Sequence, residues 1–163
     1  MEAPDYLNQI AVVAGEYGGL SDWNTLYAQL EKLWTVLEDQ AKTYAYDILL
    51  ETYPLVSMQA LTSLLYRAPD AAPDKDVTVI REKDREYGGS WHKRGGQGAF
   101  FMLARKWDRI VEGVKKFGSF EAILAADKRE EGVLDDLGDL RRYLVLVLSW
   151  HKALHSAQEE MPF

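Results

Sequence analysis

Apolar residues recur at three- and four-residue intervals along most of this chain, and strict strand-like alternation is nowhere sustained. Tyr6, Leu7, Ile10, Val13 and Ala14 predict a short N-terminal helix within Met1 to Gly19, closed by Gly15 and Gly18-Gly19. Ser21 or Asp22 offers an N-cap to a long helix that extends toward Thr52 through Trp23, Leu26, Tyr27, Leu30, Leu33, Trp34, Leu37, Ala41, Tyr44 and Ile48. Pro54 ends or kinks it, and helical spacing resumes from Leu55 to Tyr66.

Residues 67 to 76 carry two prolines among small and charged residues and read as a linker. The β-branched run Val77 to Ile80 permits a short extended piece, but Arg81 to Glu86 favours helix, and 77 to 87 is read as helix. Gly88 to Gly98 is glycine-rich and predicts an irregular loop. A helix from Ala99 to Phe117 follows, with Gly118 as its C-terminal stop, then a short helix from Ser119 to Ala126 and a charged connection through Glu130.

The last helix, roughly Glu130 to His155, opens as a carboxylate cluster and continues as a nearly apolar rod. Leu134, Leu137, Leu140, Leu144, Val147 and Leu148 form one stripe, with Asp135, Asp136, Asp139 and Tyr143 on the adjoining surface. Glu159 to Phe163 reads as a frayed tail. The pattern predicts an all-α helical bundle with a single core and an N-terminal helical extension, divided into a region 1–68 and a region 77–157.

Composition narrows the function. The chain has 163 residues, 47% of them hydrophobic, which suits one packed domain. A net charge of -7 argues against binding nucleic-acid backbones, where phosphates need a basic face. The absence of cysteine removes disulfides, thiol catalysis and cysteine-based zinc sites. With no signal-peptide pattern and no apolar run long enough to span a bilayer, the expected location is the cytoplasm. The aromatic residues, five Trp, nine Tyr and five Phe, fit a core or a partner surface, and the stripe on the long second helix would suit a homodimer.

Three constellations carry chemistry. Glu131, Asp135, Asp136 and Asp139 lie three or four residues apart on a helix, so they can share a hard cation or simply form an acidic start favoured by the helix dipole. Lys106 and Arg109, at i and i+3 beside the core stripe, can reach an anionic ligand, pair with the aspartates or cover the core with their stems. The loop around Trp91, His92, Lys93 and Arg94 can present backbone N–H groups to phosphate and an aromatic face to a base, although it is neither a Walker A nor a dinucleotide motif. His151 and His155 lack the intervening Glu of a His-Glu-x-x-His zinc site and suit a helix C-terminus.

Taken in order, Lys83-x-x-x-Tyr87-Gly88-x-x-Trp91, Lys106-x-x-Arg109 and Glu131-x-x-x-Asp135-x-x-x-Asp139-Leu140-x-x-Tyr143 resemble the nucleotide-modification-associated domain, a small helical domain found in many bacteriophages. The resemblance covers Ile80 to Trp150. That family is similar to the all-α NTP pyrophosphatases of the MazG and dimeric dUTPase type, which hold Mg²⁺ on helix-borne Glu and Asp and release pyrophosphate from nucleoside triphosphates.

The resemblance implies Mg²⁺ on Glu131, Asp135 and Asp139, phosphates on Lys106 and Arg109, and a nucleotide site lined by Lys83, Tyr87 and Trp91. Glu82 or Glu86 would then be the catalytic base of a phage nucleotide pyrophosphohydrolase in the host cytoplasm. The chain departs from the pattern at Arg142, where a small amide is usual before the tyrosine, and in lacking a clear Glu-x-x-Glu helix. The competing expectations are a nucleotide sensor or sequestering module without turnover, and a helical interaction protein with no nucleotide site.

Overall fold

The computed structural model describes residues 22–49, 54–87, 92–126 and 132–160, and their side chains except those of 84–87 and 152–160. Within them the fold is all-α: α1 (Trp23–Thr43), α2 (Leu55–Leu65), α3 (Pro73–Tyr87), α4 (Gly95–Phe117), α5 (Phe120–Ala126) and α6 (Val133–Glu160). The expected helix within Met1 to Gly19 lies outside the described residues. Among those described, no helix is long and apolar enough to cross a membrane.

Asp22 starts α1 by accepting from the backbone N–H groups of Asn24 and Thr25 at 3.0 and 3.3 Å. Leu26, Leu30, Trp34, Leu37 and Ala41 then bury one continuous stripe. The helix ends at Thr43, well before Thr52, because the chain reverses through Ala45 and Tyr46, both at positive φ (53° and 65°). Tertiary packing compensates this strain. The Tyr46 ring lies 5.1 Å from Phe100 and 5.4 Å from Phe101, and Gln97 donates to the Ala45 carbonyl at 2.8 Å.

Gly96 makes that approach possible. A Cβ there would press into the Asp47 carboxylate and lie 2.7 Å from the Ile48 backbone nitrogen. Gly96→Ala should therefore destabilise the protein by about 1–3 kcal/mol in chemical denaturation, the usual range for overpacking.

From Gly95 onward the glycine-rich segment is helical, where its composition predicts an irregular loop, and residues 88–91 of it lie outside the described residues. The helix of residues 95 to 117 begins four residues before Ala99, and its glycine start lets α4 fit against the α1 turn. Gly118 closes α4 in the left-handed conformation (φ 92°), as expected. The Ser119 hydroxyl then accepts from the Ala122 N–H at 3.0 Å to start α5.

The aromatic stripe of α1 faces inward, so it is not free to form the isologous dimer interface its pattern suggested. Trp23 stacks on Phe120 at 5.2 Å, Tyr27 on Trp107 at 5.7 Å, and Trp34 on Trp107 and Phe100 at 5.7 and 5.8 Å. Offset ring packing of this kind accounts for the aromatic content as core.

The buried apolar residues of all six helices make one cluster. Its most extensive pairing is α4 with α6. These two helices run antiparallel: Arg109 meets Asp136, Lys106 meets Asp139 and His92 meets Trp150. In α6 the stripe starts with Val133, while Leu134 is 39% exposed, a correction to its place in the predicted stripe. His151 is buried rather than decorating a terminus, because α6 continues to Glu160, through part of the expected tail.

The predicted linker is also structural. Its second half is the first turn of α3, opened by Pro73 and acidic at Asp74 and Asp76, both favourable at a helix start. Ala68 and Asp76 are buried, so this segment is fastened to the body instead of spacing two parts of it.

Candidate functional site

A cavity of about 380 Å³ lies where the end of α3, the middle of α4 and the start of α6 meet. It is lined by Lys83, Lys106, Arg109, Asp135, Asp136 and Asp139, three cations against three carboxylates with no apolar side chain among them. Helical periodicity explains the convergence. Lys106 and Arg109 flank the buried Trp107 on α4, and Asp136 and Asp139 flank the buried Leu137 on the antiparallel α6.

The ion pairs are close. Lys106 Nζ is 2.9 Å from Asp139 Oδ2 and 3.9 Å from Asp136 Oδ1, Arg109 Nη1 is 3.6 Å from Asp136 Oδ1, and Lys83 Nζ is 3.9 Å from Asp139 Oδ1. Asp136 is buried, whereas Asp135 is exposed and makes no ion pair among the described residues.

Burial by itself would raise the Asp139 pKa, but hydrogen bonds and charge from Lys106 and Arg142 outweigh it and hold the carboxyl below the usual carboxylate range. A depressed folded-state pKa contributes stability that is present above the unfolded value near 3.8 and lost as the pH falls through the folded value. Asp139→Asn should therefore flatten the stability-versus-pH curve below about pH 4, measured by urea denaturation at stepped pH.

Behind the cavity lies a network with no counterpart in the sequence reading. Arg142 Nη2 donates to Asp139 Oδ1 at 2.7 Å and its Nη1 to Asp76 Oδ1 at 3.1 Å. Arg141, 3% exposed, donates to Asp76 through Nε at 2.6 Å and Nη2 at 3.1 Å. The Tyr66 hydroxyl donates to the same carboxylate at 2.9 Å. Burial, reinforced by the Asp76 charge, pushes the Tyr66 pKa well up and keeps that donor protonated. Gly138 leaves room for the Arg142 guanidinium, which would lie 3.0 Å from a Cβ at that position.

The structure thus brings together Lys83, Lys106, Arg109, Asp135, Asp136 and Asp139 from the predicted constellations. Glu82, one of the two expected bases, is exposed and does not line the cavity. Glu86 and Tyr87 lie in the last turn of α3 with side chains outside the description, and Trp91 and Glu131 fall outside the described residues. His92 stacks on Trp150 at 4.0 Å.

Among the described residues no group of three or more His, Asp or Glu side chains is arranged to hold a metal ion. Asp136 and Asp139 already face cations. A metal ion would therefore compete with Lys106 and Arg109 for these two carboxylates, and a ligand that engages the two cations would release them.

The chain matches no protein-family model, no curated protein and no solved structure. Five residues of the ordered sequence motifs, Lys83, Lys106, Arg109, Asp135 and Asp139, line this cavity.

Proposed function

We propose that the cavity between α3, α4 and α6 binds the phosphates of a nucleotide together with Mg²⁺. The observation that carries this reading is the lining of three cations and three carboxylates around one cavity. A bare phosphate would compete with the carboxylates for Lys106 and Arg109, and a bare cation would compete with those side chains for Asp136 and Asp139. A metal–phosphate pair brings both signs at once and can replace both sets of partners, which favours joint over separate binding.

In this reading Lys83, Lys106 and Arg109 contact phosphate oxygens, and Asp135, which makes no ion pair among the described residues, is the first to meet the accompanying cation. The reading is one of nucleotide binding, with pyrophosphate release as its extension, since Glu82 does not line the cavity and Glu86 is then the remaining expected base. The alternative is a purely structural ion-pair network, favoured by the engagement of Asp139 by both Lys106 and Arg142.

A thermal-unfolding screen of the protein against nucleoside tri- and monophosphates, each with and without Mg²⁺, separates these readings. Stabilisation that requires both components supports the proposal, and pyrophosphate in the same samples extends it to turnover. No stabilisation by any combination leaves the structural reading.

A further inference from the structure

A second, larger cavity of about 780 Å³ runs along the exposed face of α4 toward α5 and the start of α6. Arg109 lines both cavities, so the two adjoin at this residue. Their chemistry differs. The smaller is bounded by charged side chains alone, while the larger includes Phe101, Ala104, Phe117, Ile123, Ala126 and Val133.

Two of these are large apolar groups that the fold leaves in the open: Phe101 is 54% exposed and Phe117 39% exposed. They stand at the two ends of the groove, each eight residues from Arg109 along the helix, about 12 Å at the usual rise per residue. The groove also carries Arg105, Asp108, Glu112 and Lys116, so apolar and charged side chains share its lining, and its volume lies within the usual small-molecule range of about 300–1,000 Å³. A ligand that spans both cavities would set a metal–phosphate end among the charged side chains of the smaller one and a flat end with apolar faces and polar edges in the larger.

We infer that the α4–α5 groove holds the nucleoside half of a nucleoside triphosphate whose phosphates occupy the charged cavity, with Arg109 at the junction. This rests on the reading of the charged cavity as a phosphate site and adds where the rest of the ligand lies. Aromatic and apolar contact with the base is the gain that the groove supplies, and inorganic tripolyphosphate, which has no base, forgoes it.

Calorimetric titration in excess Mg²⁺ with tripolyphosphate and, one at a time, with each canonical ribo- and deoxyribonucleoside triphosphate tests this. At least one nucleotide is expected to bind about tenfold or more tightly than tripolyphosphate, within the range that base stacking supplies. Ala126→Trp, an exposed position at the end of α5 whose indole would fill the groove, is expected to bring that nucleotide down to the tripolyphosphate value. Tripolyphosphate binding as tightly as every nucleotide overturns the groove assignment and leaves the phosphate site standing. A nucleotide advantage that persists in folded Ala126→Trp overturns it too. Failure of both tripolyphosphate and all nucleotides to bind removes the phosphate reading and this inference with it.

Discussion

Asp76→Ala is expected to destabilise the protein by about 3–5 kcal/mol in chemical denaturation, the usual cost of leaving a buried charge without its partner. Asp76 is 1% exposed and accepts from Tyr66, from Arg141 through two nitrogens and from Arg142. Its removal strands Arg141, whose remaining carboxylate neighbour, Asp70, lies 3.8 Å from Nη1. The loss should be far smaller in the double variant Asp76→Leu/Arg141→Met, because that change removes the charge with its partner and fills the space with apolar atoms. If the double variant were as unstable as the single one, the cost would lie in packing at α3 instead of in the stranded guanidinium. Arg142 joins this network to Asp139, so Asp76→Ala should also loosen the cavity.

Lys106→Met should weaken Mg²⁺-nucleotide binding by roughly 10- to 100-fold, the loss expected for a hydrogen bond to a charged group. Methionine retains an apolar stem against α6, so packing changes little and the ammonium group is what the substitution removes. The variant should also lose about 1–2 kcal/mol of stability, since Asp136 and Asp139 give up a shared cation at 3.9 and 2.9 Å. A titration beside a urea curve separates the two effects. Loss of stability with unaltered nucleotide affinity would place Lys106 in the framework alone.

The helices were legible because apolar spacing and punctuation agreed. Asp22 before α1, Gly118 after α4 and the stripes of α1, α4 and α6 all correspond to observed elements. What the pattern concealed depended on partners distant in sequence. The α1 reversal at Ala45 and Tyr46 is held by Phe100, Phe101 and Gln97, so a local helical spacing through Tyr44 and Ile48 predicted too long a helix. The proline-bearing stretch read as a linker because its role hangs on one buried aspartate, Asp76, that meets α6 across sixty-five residues of chain.

The cavity was more visible than the network behind it. Lys106 and Arg109 beside one core stripe and Asp135, Asp136 and Asp139 beside another signalled that two helices packing through those stripes would juxtapose the charges. A signal for the network was present as well. Arg141 shares a helix face with Leu137 and Val145, four residues to either side and both buried. An arginine on that face requires a buried carboxylate, and only the fold identifies it as Asp76.

The central claim is that nucleotide and Mg²⁺ bind to the charged cavity jointly, and calorimetry of one nucleotide in Mg²⁺ against the same nucleotide in a chelator tests it most directly. Mg²⁺ should raise nucleotide affinity about tenfold or more, and the nucleotide should raise Mg²⁺ affinity by the same factor, as linkage requires. Equal nucleotide affinity in Mg²⁺ and in chelator, or no nucleotide binding in either, would contradict the claim.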